Sequence, residues 1–101
     1  MRQIDRDMLK AVCEHRSWSS GNTAVVADKD YVQVILHGSI IYECKGVEEA
    51  FTLAGWDTLT TRNRLRALGA NIFHKNGKIY ASKCKSGANA IEINKHDWYN
   101  F

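Results

Sequence analysis

Apolar positions change their spacing several times along the chain, and each change marks an element. Ile4, Met8, Leu9, Val12 and Cys13 recur near helical spacing. Asp5 and Asp7 stand in the first turn, where acids suit the helix dipole, so the pattern predicts a helix over residues 5–16. Residues 17–22, Ser-Trp-Ser-Ser-Gly-Asn, read as a loop by composition. Then β-branched runs begin. Residues 23–27, 31–37 and 40–45 read as strands, with turns at Asp28-Lys29-Asp30 and at the glycine-led pair Gly38-Ser39. Together they predict a three-stranded antiparallel meander.

The next stretch admits two periods. Val47, Ala50, Phe51 and Ala54 fit one face of a helix, while Ala50-Phe51-Thr52-Leu53 fits a strand. The helix, closing at Gly55, is preferred. A second helix follows over residues 57–69, with Asp57 or Thr58 as its cap and Gly69 as its stop. Thr61, Leu65 and Leu68 share its core face, while Arg62 and Arg66, four apart, project elsewhere with Asn63 beside them. Residues 72–82 form the clearest hairpin, because Asn76-Gly77 is a strong type I′ signal. That turn sets Lys75 opposite Lys78 and Phe73 opposite Tyr80. Residues 90–94 add one strand, and Trp98, Tyr99 and Phe101 form an aromatic tail.

The sum is one α+β domain over residues 1–101: an N-terminal helix, an antiparallel meander, a short basic helix and a C-terminal hairpin. A minor alternative is a winged helix. In it, residues 47–55 are the supporting helix, residues 57–69 the recognition helix and the hairpin the wing. That register wants a small residue where Phe51 stands and buries the position of Arg64.

A chain of 101 residues, 45% hydrophobic and 25% charged, is sized for one folded domain and too apolar for disorder. The apolar runs are strand-sized, so no membrane span is expected. The charged start lacks an apolar signal core. Cys13, Cys44 and Cys84 are odd in number and form no C-x-x-C pair, so a reduced cytoplasmic setting is expected, each thiol a small buried hydrophobe. A zinc site combining Cys13 and His15 with Cys44 or Cys84 lacks the usual ligand spacing, so neither metal nor cofactor is expected.

Charge changes the picture most. Residues 58–91 hold no acid and carry Arg62, Arg64, Arg66, Lys75, Lys78, Lys83 and Lys85, a charge of +7. The rest of the chain holds seven basic residues and all eleven acids, so it carries −4 of the net +3. One positive face on a near-neutral body attracts polyanions. Arg62, Asn63, Arg64, Arg66, Lys75, Lys78, Lys83 and Lys85 are therefore the candidate nucleic-acid contacts. Arginine suits guanine edges and phosphate, and asparagine suits adenine. Trp98, Tyr99 and Phe101 are candidate partner contacts, covering the sheet or joining two copies of the chain. Trp18, Trp56, Trp98 and Tyr99 are of the type that stacks bases or anchors a partner, with core packing the default for Trp56.

No enzyme is expected. His15, His37, His74 and His96 are scattered, Glu48-Glu49 diverge on a helix, and Asp28 and Asp30 flank a turn. A small hydrolase or nuclease would depend on His74 or His37.

The run Gly55-Trp56-Asp57-Thr58-Leu59-Thr60-Thr61-Arg62-Asn63-Arg64-Leu65-Arg66-Ala67-Leu68, followed by residues 71–80, resembles a group of small proteins of tailed bacteriophages. Gly21-Asn22-Thr23 and Leu36-His37-Gly38-Ser39-Ile40 resemble it too. The likeness covers residues 21–80 and departs at Arg66, where that group has a smaller polar residue, and in the tail. It implies a phage accessory or host-takeover role in the bacterial cytoplasm and supplies no catalytic residue. The first reading is a non-enzymatic protein that binds DNA or RNA. The alternative is an antidefence inhibitor, of the anti-CRISPR kind, that binds a host protein complex.

Overall fold

In the computed structural model, which describes residues 2–83 and 86–100, the first helix, α1 (Gln3–Cys13), lays Met8 and Ala11 onto the sheet that follows. It starts two residues before the expected helix and stops three short of Arg16, where His15 takes a left-handed φ of 54°.

The expected loop at 17–22 is instead a short edge strand, β1 (Trp18–Ser20), and a turn at Gly21. Trp18 pairs with Val25 and Ser20 with Thr23. An edge strand has a free side and tolerates polar residues, which is why composition conceals it. The meander is present as β2 (Thr23–Ala27), β3 (Tyr31–Leu36) and β4 (Ser39–Lys45), all antiparallel. Alternation places Thr23, Val25, Val32, Val34 and Leu36 on the buried face. The β3–β4 turn sits one residue earlier than expected. His37 and Gly38 are its central pair, both left-handed at φ 50° and 79°, because that geometry matches the twist of the strands. Ser39 therefore pairs with Leu36. On β4 the register skips Ile41, so Ile41 and Tyr42 are both buried although adjacent.

The helix preferred for residues 46–56 does not form. Gly46, at φ 62°, is the first central residue of a tight turn, and β5 (Glu48–Phe51) runs back along β4 with Lys45 opposite Glu48. Val47 is 97% exposed at the turn tip rather than on a core face. The apolar spacing was compatible with both periods, and the hairpin wins by giving the unpaired side of β4 its hydrogen bonds. With no supporting helix, the winged-helix arrangement is excluded.

The second helix, α2 (Leu59–Ala67), is capped by Thr58, whose hydroxyl accepts from the Thr61 N–H. Thr61, Leu65 and Leu68 are buried, and Gly69 leaves the helix at φ 105°. The hairpin β6 (Asn71–Lys75) and β7 (Lys78–Ser82) closes through Asn76 and Gly77, both left-handed, with Lys75 opposite Lys78 and Phe73 opposite Tyr80 as the turn predicts. The strand expected at 90–94 is β8 (Ile91–Ile93), beside β7. The tail contributes β9 (Tyr99–Asn100), which joins β5. One sheet runs β1-β2-β3-β4-β5-β9 and the other β6-β7-β8. A single cluster of buried residues, from Met8 and Val34 to Leu65, Ile72 and Ile93, is shared by both helices and both sheets.

The cysteines are not the buried hydrophobes expected: Cys13 is exposed and Cys44 half-buried, while Cys84 lies outside the described residues. No helix among the described residues is long and apolar enough to cross a membrane.

Candidate functional site

The acid-free stretch folds into one unit, α2 followed by the β6–β7 hairpin, but its cations do not share one surface. Arg64 is only 3% exposed. Its Nη1 donates to Asp5 Oδ1 at 2.7 Å and its Nε to Thr23 Oγ1 at 3.0 Å. It is thus a core tie between α1, α2 and β2, not a nucleic-acid contact. Helical geometry explains the misplacement: position 64 lies three residues after Thr61 and faces the core with it.

Arg62 is tied down from three sides. Its Nη1 meets His74 Nδ1 at 3.3 Å, its Nε reaches the Thr58 carbonyl at 3.4 Å, and Asp57 Oδ1 lies 3.8 Å away. The last separation is an electrostatic contact beyond hydrogen-bond reach, which leaves Asp57 Oδ1 without a hydrogen bond. Asp57 Oδ2 meets His74 Nε2 at 2.7 Å. The tautomer that satisfies both neighbours of His74 carries its proton on Nε2 and accepts from Arg62 on Nδ1. This ring is the hinge between the start of α2 and the hairpin tip. Nothing in the sequence linked Asp57 to His74.

Arg66 is exposed, yet its Nη2 and Nε donate to the Ile72 carbonyl at 2.6 and 3.2 Å, and its Nη1 reaches Asn63 Oδ1 at 3.4 Å. Lys75, Lys78 and Lys83 are exposed. Lys78 has Glu92 Oε1 at 3.5 Å, while Lys75 and Lys83 have no ion-pair partner among the described residues. Lys85 and Phe101 lie outside the described residues.

Strand alternation sorts the hairpin into two faces. Ile72, Ile79 and Ala81 point inward, and His74, on the same side nearer the tip, stays exposed beside Asp57. Phe73, Lys75, Lys78 and Tyr80 point outward, with the Phe73 and Tyr80 rings stacked at 5.7 Å between centroids. The outer face thus carries the half-buried Phe73–Tyr80 pair at its centre, Glu92 of β8 beside Tyr80, and the two exposed lysines at its tip.

A cleft of about 500 Å³ lies beside the tip, lined by Asp57, His74, Lys78, Glu92, Lys95 and His96 among others. Its two ammonium groups face two carboxylates, so it exerts no net pull on an anion. A second cleft, of about 420 Å³, lies across Asp57 from the first and is lined by Leu36, His37, Ile41, Trp56, Thr58, Thr60 and Thr61. Trp56 was expected in the core, but it is 59% exposed at this cleft. The chain turns sharply at Ala54 and Gly55, both left-handed, and carries the indole outward. His37 is held at the mouth by Asn22, whose Nδ2 lies 3.3 Å from His37 Nε2. Asn22 in turn accepts from Thr23, which accepts from the buried Arg64.

The tail divides its aromatics. Tyr99 packs on Phe51 at 5.8 Å and its hydroxyl accepts from the Asn94 N–H, while Trp98 stays half exposed. No group of His, Cys, Asp and Glu among the described residues is arranged to hold a metal ion.

Among known proteins, a family model described as Kyanoviridae Gp96 protein matches residues 1–100. No curated protein and no solved structure matches.

Proposed function

The chain belongs to that phage protein family, and on this premise we propose that it is a non-enzymatic accessory protein that binds nucleic acid through the outer face of the β6–β7 hairpin. One observation supports the reading: exposed Lys75 and Lys78 stand side by side at the hairpin tip, beyond the half-buried Phe73–Tyr80 pair, with Glu92 3.5 Å from Lys78. Adjacent ammonium groups repel, and a phosphate backbone relieves that repulsion. Arg66 and Lys83 add exposed charge, while Arg62 and Arg64 serve the fold.

The test is equilibrium binding of labelled oligonucleotides over a salt series. Log affinity falls by about 0.9 per neutralised phosphate on duplex and 0.7 on single strands for each tenfold rise in salt. Contacts by Lys75, Lys78, Lys83 and Arg66 therefore give a slope of about −3 to −4. A flat response, or no binding at low salt, overturns the reading.

Half-exposed Trp98, beside the outermost strand of the larger sheet, supports a second reading. In it the protein docks on a host protein complex, as an antidefence inhibitor does, or on a second copy of itself. Capture from bacterial lysate with and without nuclease separates the readings. A stoichiometric partner that survives nuclease and is lost in Trp98→Ser favours the second, and sedimentation of the pure protein identifies self-association.

A further inference from the structure

From the uncovered face of the larger sheet, we infer that two copies of the chain pack face to face through it, β3 and β4 of one against β4 and β3 of the other. The inference goes beyond the nucleic-acid reading and does not depend on it. Three observations carry it.

The first is the pattern of side chains. The helices lie on the face that buries Thr23, Val25, Val32 and Val34. Alternation sends Ala24 and Val26 of β2 and Tyr31, Gln33 and Ile35 of β3 to the other face, and the cross-strand register adds Ile40 of β4. None of these belongs to the buried cluster or packs against it. An antiparallel sheet with one face in water alternates apolar and polar side chains. Of these outward positions only Gln33 is polar, so β2 and β3 have the composition of strands covered on both sides. A contiguous apolar surface with a polar rim marks a protein contact. The second observation is charge. On β4 and β5 the same face carries Glu43, Lys45 and Glu48, with Lys45 at 3.2 Å from Glu43 and opposite Glu48. It has no cationic excess to hold a polyanion, and its unbalanced carboxylate, Glu48, is exposed at the rim, where salt screens it.

The third is that the face complements itself. A twofold axis close to the strand direction, between β3 and β4, sets Ile35 of one copy against Ile40 of the other and gathers four isoleucines. The same axis sets Val26 against Ala50, and Gln33 against Glu43. The Gln33 amide has no hydrogen-bond partner among the described residues, and the carboxylate of the second copy supplies an acceptor. Apolar thus meets apolar and donor meets acceptor. Two copies of one twisted sheet stack in this way about 10 Å apart. The sheet spans about 30 Å across its strands and about 17 Å along them, so the pair buries about 1,000 Å², the low end for a specific interface and the mark of a weak dimer. The helices and the smaller sheet lie on the opposite face, so both hairpins stay free.

The experiment is sedimentation equilibrium of the full chain across the micromolar range, for the parent, Ile35→Lys and Ile40→Glu. The parent should show a monomer–dimer equilibrium, and each variant alone should weaken it by about tenfold or more, because each buries two unpaired charges in the dimer. Mixed in equal amounts, the two variants should re-form a dimer. The new ammonium of one then faces the new carboxylate of the other, while the remaining Ile40 and Ile35 meet as before. That rescue requires both chains to be folded, so it separates a lost interface from a lost fold. A parent that stays monomeric throughout overturns the inference. So does a dimer that both variants leave intact and Trp98→Ser dissolves, which places the contact at the tail. Variants that stay monomeric when mixed overturn the pairing of β3 with β4. A host protein held by a monomeric parent and released by Ile35→Lys assigns the face to that protein and overturns the inference too. The oligonucleotide salt series is read separately, so none of these outcomes decides the hairpin reading.

Discussion

At the residue scale, two buried side chains carry consequences that exposure alone would miss. Arg64 and Asp5 are each only 3% exposed and meet at 2.7 Å. Removing one partner strands the other charge inside the protein. Arg64→Met should therefore cost about 3–5 kcal/mol in denaturant unfolding, whereas Asp5→Leu combined with Arg64→Met should come close to the parent. A single variant as stable as the parent would show the pair to be idle. Tyr42 is also buried, and its hydroxyl donates to Glu49 Oε2 at 2.7 Å. Burial first, then the Glu49 carboxylate, pushes its phenol far above the ordinary value of 10.0. A raised acid pKa favours the folded state fully below the unfolded value. Stability should therefore fall as pH rises above about 10, where the unfolded chain releases this proton and the native state does not. Tyr42→Phe should flatten that alkaline decline in melts followed between pH 9 and 11.

At the element scale, the hairpin tip tests charge placement. Lys75→Glu sets a carboxylate opposite Lys78, so it should stabilise the fold by a few tenths of a kcal/mol. Lys78→Glu makes the same charge change but brings two carboxylates together, since Glu92 lies 3.5 Å from the Lys78 ammonium. Its new pairing with Lys75 offsets the lost and reversed contact with Glu92, so stability should stay near that of the parent. Both should weaken nucleic-acid binding and reduce its salt slope by about one unit. A gain in stability for Lys75→Glu alone, with the same loss of binding in both, would separate the two roles of these lysines. Equal binding by both variants and the parent would remove the hairpin from the interface.

At the scale of the molecule, the two sheets do not have separate cores. Leu65 and Ile72 belong to the same buried cluster as Val34 and Phe51. Far-ultraviolet dichroism and tryptophan fluorescence should therefore report one coincident unfolding transition, as two-state domains of this size do. Two transitions would mean that the sheets melt independently.

Local chemistry was enough for the elements with one dominant signal. Asn76-Gly77 dictated its hairpin, Thr58 and Gly69 bounded α2, and the β-branched runs dictated the meander, because each signal lies within a few residues of the structure it sets. The basic bias of residues 58–91 was equally plain, and so was the phage resemblance. Three features were decided only in three dimensions. Whether residues 48–51 became helix or strand depended on the open side of β4, which a local period does not register. Whether Arg64 met solvent depended on Asp5, far away in the chain, offering a buried carboxylate. Whether Trp56 was core or surface depended on the turn at Ala54 and Gly55 and on where the β3–β4 turn came to rest. A sequence states which residues carry charge and which are apolar. Which of them remain available to a partner is settled by pairing and burial between distant segments, and those contacts exist only in the fold.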